Sequence, residues 1–107
     1  MANRIGSFLK TVTTSGTQVA LSATSLKVHT AVIQVEHSNT GYMAVGDSTV
    51  DFATGLGIIL GVPVADQTPA SVVFSSSRNG SNEVELADIY IDSEVNGDGV
   101  KVVYHKA

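Results

Sequence analysis

The stretch KVHTAVIQVEH, Lys27 to His37, constrains the fold of this chain more than any other. Ala31, Ile33 and Val35 stand at alternate positions, with Thr30, Gln34 and Glu36 around them. A repeat of two puts the apolar set on one face of a strand, whereas a helix repeats every 3.6 residues. The segment therefore reads as a strand with one buried face. No window of 11–18 residues places apolar side chains at i, i+3, i+4 and i+7 clear of glycine or β-branched runs, so no helix is expected.

Further short strands fall at Ser7–Val12, Gln18–Leu21, Tyr42–Val45, Gly57–Leu60, Ser71–Ser75, Asp88–Asp92 and Val100–His105. Between them lie the breaks TTSGT, NTG, GDSTVDFATG, ADQTPA and SSRNGSN. About eight short strands at this spacing predict an all-β fold, an antiparallel β-sandwich or jelly-roll-like domain. Pro63 and Pro69 keep 64–68 out of any central strand, because proline has no N–H for the ladder. The NTG at Asn39 to Gly41 predicts a hairpin joining the strand at 27–37 to that at 42–45.

A chain of 107 residues suits a single domain, 1–107, with no room for a second core. Residues 1–12 read in two ways, as an edge strand or as an N-terminal arm that pairs with another chain by strand addition. The hydrophobic fraction of 43% leans on Val, Ile and Ala, with 6% aromatic and no Trp. Small β-branched side chains suit a thin two-layer core.

Charged residues are only 15%, against about 25% in ordinary soluble domains. Surfaces poor in charge are found where partners cover them. A net charge of -4 and six scattered Lys and Arg leave no basic stripe for nucleic-acid phosphate. With no cysteine there is no disulfide, thiolate metal site or Cys nucleophile. The start, MANRIGSFLK, lacks an apolar signal-peptide core, and the apolar run Leu56 to Ala65 is broken by Gly and Pro and short of the ~20 residues that span a bilayer. The expectation is no membrane partner, and synthesis in a cytoplasm, where the protein is kept or from which it is released by lysis.

Four stretches invite a chemical reading. DSEVNGDG, Asp92 to Gly99, places Asp92, Glu94 and Asn96 at positions 1, 3 and 5 of an EF-hand loop and Gly97 at its glycine. Position 12, which needs a bidentate Glu, falls on Val103, and both flanks alternate as strands. The stretch reads as the NGDG tip of a closing hairpin, with a weak cation site on Asp92, Glu94, Asn96 and Asp98 as the alternative. AVGDSTVDF, Ala44 to Phe52, has the Gly-Asp-Ser of a serine esterase, but none of His29, His37 or His105 follows an Asp by three residues. An Asx-type turn at Gly46, Asp47 and Ser48 accounts for it.

His29 and His37 share one strand parity and stand about 26 Å apart at ~3.3 Å per residue, too far for one metal. GLGIILG, Gly55 to Gly61, lacks the Gly-Lys-Ser/Thr of a phosphate loop and reads as a buried strand or sheet corner. No catalytic, cofactor-binding or metal residue is assigned, and no cofactor or small-molecule substrate is expected.

Taken together, Val45 to Ser48, Thr54 with Gly55, Pro63, Asp88 to Asp92, and Asn96 to Val100 with Tyr104 form a familiar order of strands and turns. It resembles a group of small tailed-phage virion proteins, in which a strand ending in VGDS is followed by a TxG loop, a Pro segment and a closing D-[IV]-Y-[IV]-D…NGDGV…Y hairpin. The resemblance runs over roughly residues 31 to 105. It implies a small β-sandwich head protein, a decoration or cement protein on the outer capsid that clamps the major capsid protein and acts as a homotrimer. A neck, tail or fibre-base component is the alternative within that class. A carbohydrate-binding module is the alternative outside it, although no Trp and three Tyr make a flat aromatic platform hard to build.

Overall fold

The computed structural model describes residues 5–65, 67–75 and 84–106. Nine strands run through them: β1 (Ile5–Thr11), β2 (Val19–Ala20), β3 (Lys27–Val35), β4 (Met43–Gly46), β5 (Ile58–Leu60), β6 (Ser71–Ser75), β7 (Val84–Glu85), β8 (Tyr90–Ser93) and β9 (Gly99–Lys106). Two single 3-10 turns, Phe52–Thr54 and Leu86–Asp88, are the helical elements among the described residues.

The strands form two antiparallel sheets. One has the order β1-β9-β3-β6, with β7 also paired to β3, and the other the order β2-β8-β4-β5. Leaving out the two-residue β7, first pairs with last (β1 with β9), second with next to last (β2 with β8), third with sixth (β3 with β6), and the two middle strands pair with each other. That nesting is a long double-stranded ribbon rolled up so that successive pairs fall in opposite sheets, the jelly-roll arrangement of a β-sandwich. The fold class expected from the strand pattern is the one found.

The two expected hairpins are absent. β3 and β4 lie in different sheets, and so do β8 and β9. Both connections cross between layers. Alternation reports that a strand has one buried face but not which strand lies beside it. Asn and Gly at a break serve an arch as readily as a hairpin, and the five residues 94–98 easily span the ~10 Å between packed sheets. The expected left-handed turn is present nonetheless, with Gly97 at φ 88.

The core fills the space between the sheets. Val28, Ala31, Ile33 and Val35 of β3, Met43 and Val45 of β4, Ile91 of β8, and Val100 and Val102 of β9 are all fully buried. Phe8, Val72, Phe74 and Tyr104 pack against them from the flanks. Val28 joins the odd-numbered core positions of β3 because the register with β9 shifts between Val28 and Thr30. His29 is the extra residue of that bulge, which turns the strand's parity over.

β1 pairs with β9 along its whole length, from Ile5 with His105 to Thr11 with Gly99. From Ile5 onward the N-terminal segment is therefore an edge strand and not a free arm, while residues 1–4 lie outside the described set. β7 was not foreseen, since two residues cannot alternate. The expected strand at Asp88 begins only at Tyr90, because Glu85 caps the 3-10 turn ahead of it by accepting from the Ala87 N–H.

Candidate interaction surface

The connections 12–18, 36–42 and 94–98 meet at one end of the sandwich and are tied by side chains. Asp98 accepts from the backbone N–H groups of Thr40 (3.1 Å) and Gly41 (2.8 Å). The Asn39 side chain holds Gly99 at both backbone groups, donating to its carbonyl at 2.8 Å and accepting from its N–H at 3.0 Å. Asn96 accepts from the Ser15 N–H (2.7 Å) and Glu94 from the Tyr42 N–H (3.1 Å).

Asp92, only 1% exposed, accepts from the N–H groups of Gly16, Phe52 and Ser93, each at 2.9 Å. It faces outward from the second sheet, and the loop of Phe52 folds over it. Asp92, Glu94, Asn96 and Asp98 of DSEVNGDG thus each accept from backbone N–H groups. Carboxylates that accept backbone N–H groups fix loops that would otherwise bury unpaired donors. Among the described residues no three His, Cys, Asp or Glu side chains are grouped to hold a metal ion.

The Gly-Asp-Ser forms the turn expected of it. Asp47 accepts from the N–H and the hydroxyl of Thr49, and the Val50 N–H closes on the Asp47 carbonyl at 3.0 Å. The Thr49 hydroxyl, followed by the Thr49 N–H, holds the Asp47 carboxyl below its ordinary range. Beside this turn an open cleft of about 440 Å³ is lined by Asp47, Leu56, Ile58, Phe74, Asp88 and Ile89 among others, with no histidine in its wall. His29 and His105 lie on the other sheet, and His37 lies at a separate hollow bordered by Pro63 and Pro69. Among the described residues, none of the three histidines lines the cleft beside Ser48.

GLGIILG is an edge strand and not a buried one. Ile58 and Ile59 are exposed and only Leu60 is buried. The glycine reading holds at Gly57, where φ is 116 and an added Cβ would stand 2.7 Å from the Val50 side chain and 2.9 Å from the Val45 carbonyl.

The outer face of the larger sheet is the site that sequence reasoning missed. Pairing registers set out three cross-strand rows: Ile5, His105, Thr30, Ser75; Ser7, Val103, Val32, Val73; and Leu9, Lys101, Gln34, Ser71. Among these positions only Lys101 and His105 are ionisable. Ile5 is 68% exposed, Leu9 64%, Val73 59% and Val103 43%. His105 stacks on bulged His29, with ring centroids 6.3 Å apart. A signal for this face was present in β1, where Ile5 and Leu9 are apolar at odd positions while Phe8 and Val12 are apolar at even ones. A strand apolar at both parities has both faces to cover.

Comparison of the chain with protein-family models, with curated proteins and with solved structures finds no match.

Proposed function

We propose that the protein is a non-enzymatic virion structural protein, a decoration or cement protein on the outer capsid of a tailed phage. In this reading it binds and stabilises the shell of the major capsid protein after assembly in the host cytoplasm. The observation that supports it most is the outer face of the larger sheet, nearly free of charge and with four large aliphatic side chains exposed. Such a face lies flush on a partner, and monomeric proteins rarely leave one open to water. The resemblance in the strand and turn order supplies the virion setting and the homotrimer.

The test is to mix the purified protein with expanded capsids that lack it. Saturable binding at a fixed copy number with raised capsid melting temperature is the expected result, and Val73→Glu, which sets a charge in the middle of the face, abolishes it. Capsids that bind none of the protein overturn the reading. Binding to isolated necks, tails or fibre bases instead would favour a component of those parts, and binding to polysaccharide would favour a carbohydrate module.

A further inference from the structure

We infer that the outer edge of β1, which no other described strand covers, is a self-association site, at which two copies join their larger sheets edge to edge in antiparallel register about a twofold axis at Ser7. The inference starts from the direction of the backbone groups. The Val12 N–H donates to the Asp98 carbonyl (2.9 Å) and the Val12 carbonyl accepts from the Gly97 N–H (2.8 Å), so Val12 points its polar groups at β9. In an antiparallel ladder that direction alternates residue by residue. Lys10, Phe8 and Gly6 therefore also face β9, while Thr11, Leu9, Ser7 and Ile5 point their N–H and C=O groups away from the sheet.

Natural edge strands are protected by shortness, proline, bulges or charge. Both edges of the smaller sheet fit this, while the far edge of the larger sheet, β6, has five residues, fewer than β1. β2 has two residues and β5 three, and β5 runs on into Gly61 and Pro63. β1 has seven residues, an unbroken register with β9, no proline and one lysine. Its outward edge carries the exposed Ile5 and Leu9 with Ser7 between them and Thr11 beyond.

The sequence of this edge complements itself. With Ser7 opposite Ser7 of a second copy, Ile5 of each chain faces Leu9 of the other on the outer face. Positions 5, 7 and 9 then form about six interchain hydrogen bonds. Cross-strand aliphatic pairs of this kind are the stabilising unit of a sheet.

The join also changes the size of the outer face. Four strands spaced ~4.8 Å and seven residues rising ~3.3 Å give one copy a face of roughly 450 Å². A stable interface needs about 800 Å² per partner. Two copies joined at β1 present roughly 900 Å² as one continuous sheet. This last consequence rests on the docking role proposed above, whereas the pairing itself does not.

Sedimentation equilibrium over a wide concentration range, without capsids, tests the pairing. The edge alone buries far less than 800 Å² per partner, so weak, concentration-dependent pairing is expected, between single copies or between the homotrimers proposed above. Ser7→Pro removes an outward N–H, a substitution edge strands tolerate, and should weaken the pairing at least tenfold with the melting temperature little changed. Amide exchange on the unaltered protein gives a second reading. The Ser7 and Leu9 amides should slow as concentration rises, while those of Phe8 and Lys10 are protected throughout. A monomer or trimer that pairs no further up to about 1 mM, pairing indifferent to Ser7→Pro, or Ser7 and Leu9 amides that exchange equally at all concentrations would each overturn the inference. Pairing without any capsid binding would leave it standing and count against the cement role.

Discussion

Replacing Asp92 with alanine tests whether the DSEVNGDG carboxylates are structural pins. The side chain is 1% exposed and holds two distant segments, the 12–18 arch through the Gly16 N–H and the covering loop through the Phe52 N–H, each at 2.9 Å. The buried Ser93 N–H left without a partner costs about 2 kcal/mol, and the N–H groups of exposed Gly16 and half-buried Phe52, which water can reach, add about 1 kcal/mol between them, so the loss is about 3 kcal/mol. That is a large part of the ~5–15 kcal/mol that holds a domain together. At ~5 °C per kcal/mol for a domain near this size, the melting temperature falls by roughly 15 °C.

The assay is urea and thermal unfolding followed by far-ultraviolet circular dichroism, with and without calcium. Asp92→Asn keeps one acceptor oxygen but turns an NH2 toward the other donor, so it should lose about half as much stability. A loss under about 1 kcal/mol for Asp92→Ala would refute the reasoning, since surface substitutions commonly stay within ~0.5 kcal/mol. Calcium should leave the unaltered protein's melting temperature where it was. A rise of several degrees that Asp92→Asn removes would return the stretch to a metal-binding role.

Other predictions follow from single contacts. Ser25 donates its hydroxyl to Glu85, and with the Leu26 N–H this holds the Glu85 carboxyl below its ordinary range. A carboxylate lowered by folding stabilises the protein above its unfolded pKa, and the effect is lost as pH falls through the folded one. The stability gap between the unaltered protein and Glu85→Gln, measured by urea unfolding, should therefore close as pH drops from 7 through the acidic range. Gly97→Ala should cost about 1 kcal/mol, because φ is 88 with open space around it. Gly57→Ala should cost about 3 kcal/mol, since it adds the Val50 and Val45 clashes to an unfavourable φ, and comparative melts will rank the two. Ile33→Ala in the fully buried centre of β3 should cost about 2–5 kcal/mol in the same assay.

The sequence alone determined that the chain is all-β, where most strands lie and which face of β3 is buried. Those properties are written locally: a period of two needs only neighbouring residues, and Ala31, Ile33 and Val35 carry it without reference to the rest of the chain. The Asx turn at Asp47 and the positive φ at Gly97 were legible for the same reason. Pairing was not. β1 meets β9 from the far end of the chain, and whether 94–98 makes a hairpin or an arch depends on which sheet receives β9. The partners of Asp92 stand 76 and 40 residues away in sequence, so the same carboxylate that resembled a metal ligand became a backbone pin only once the layers were stacked. The outer face of the larger sheet likewise exists only after four distant strands are set in register. Their side chains are individually unremarked in the sequence, and tertiary structure alone makes them one surface.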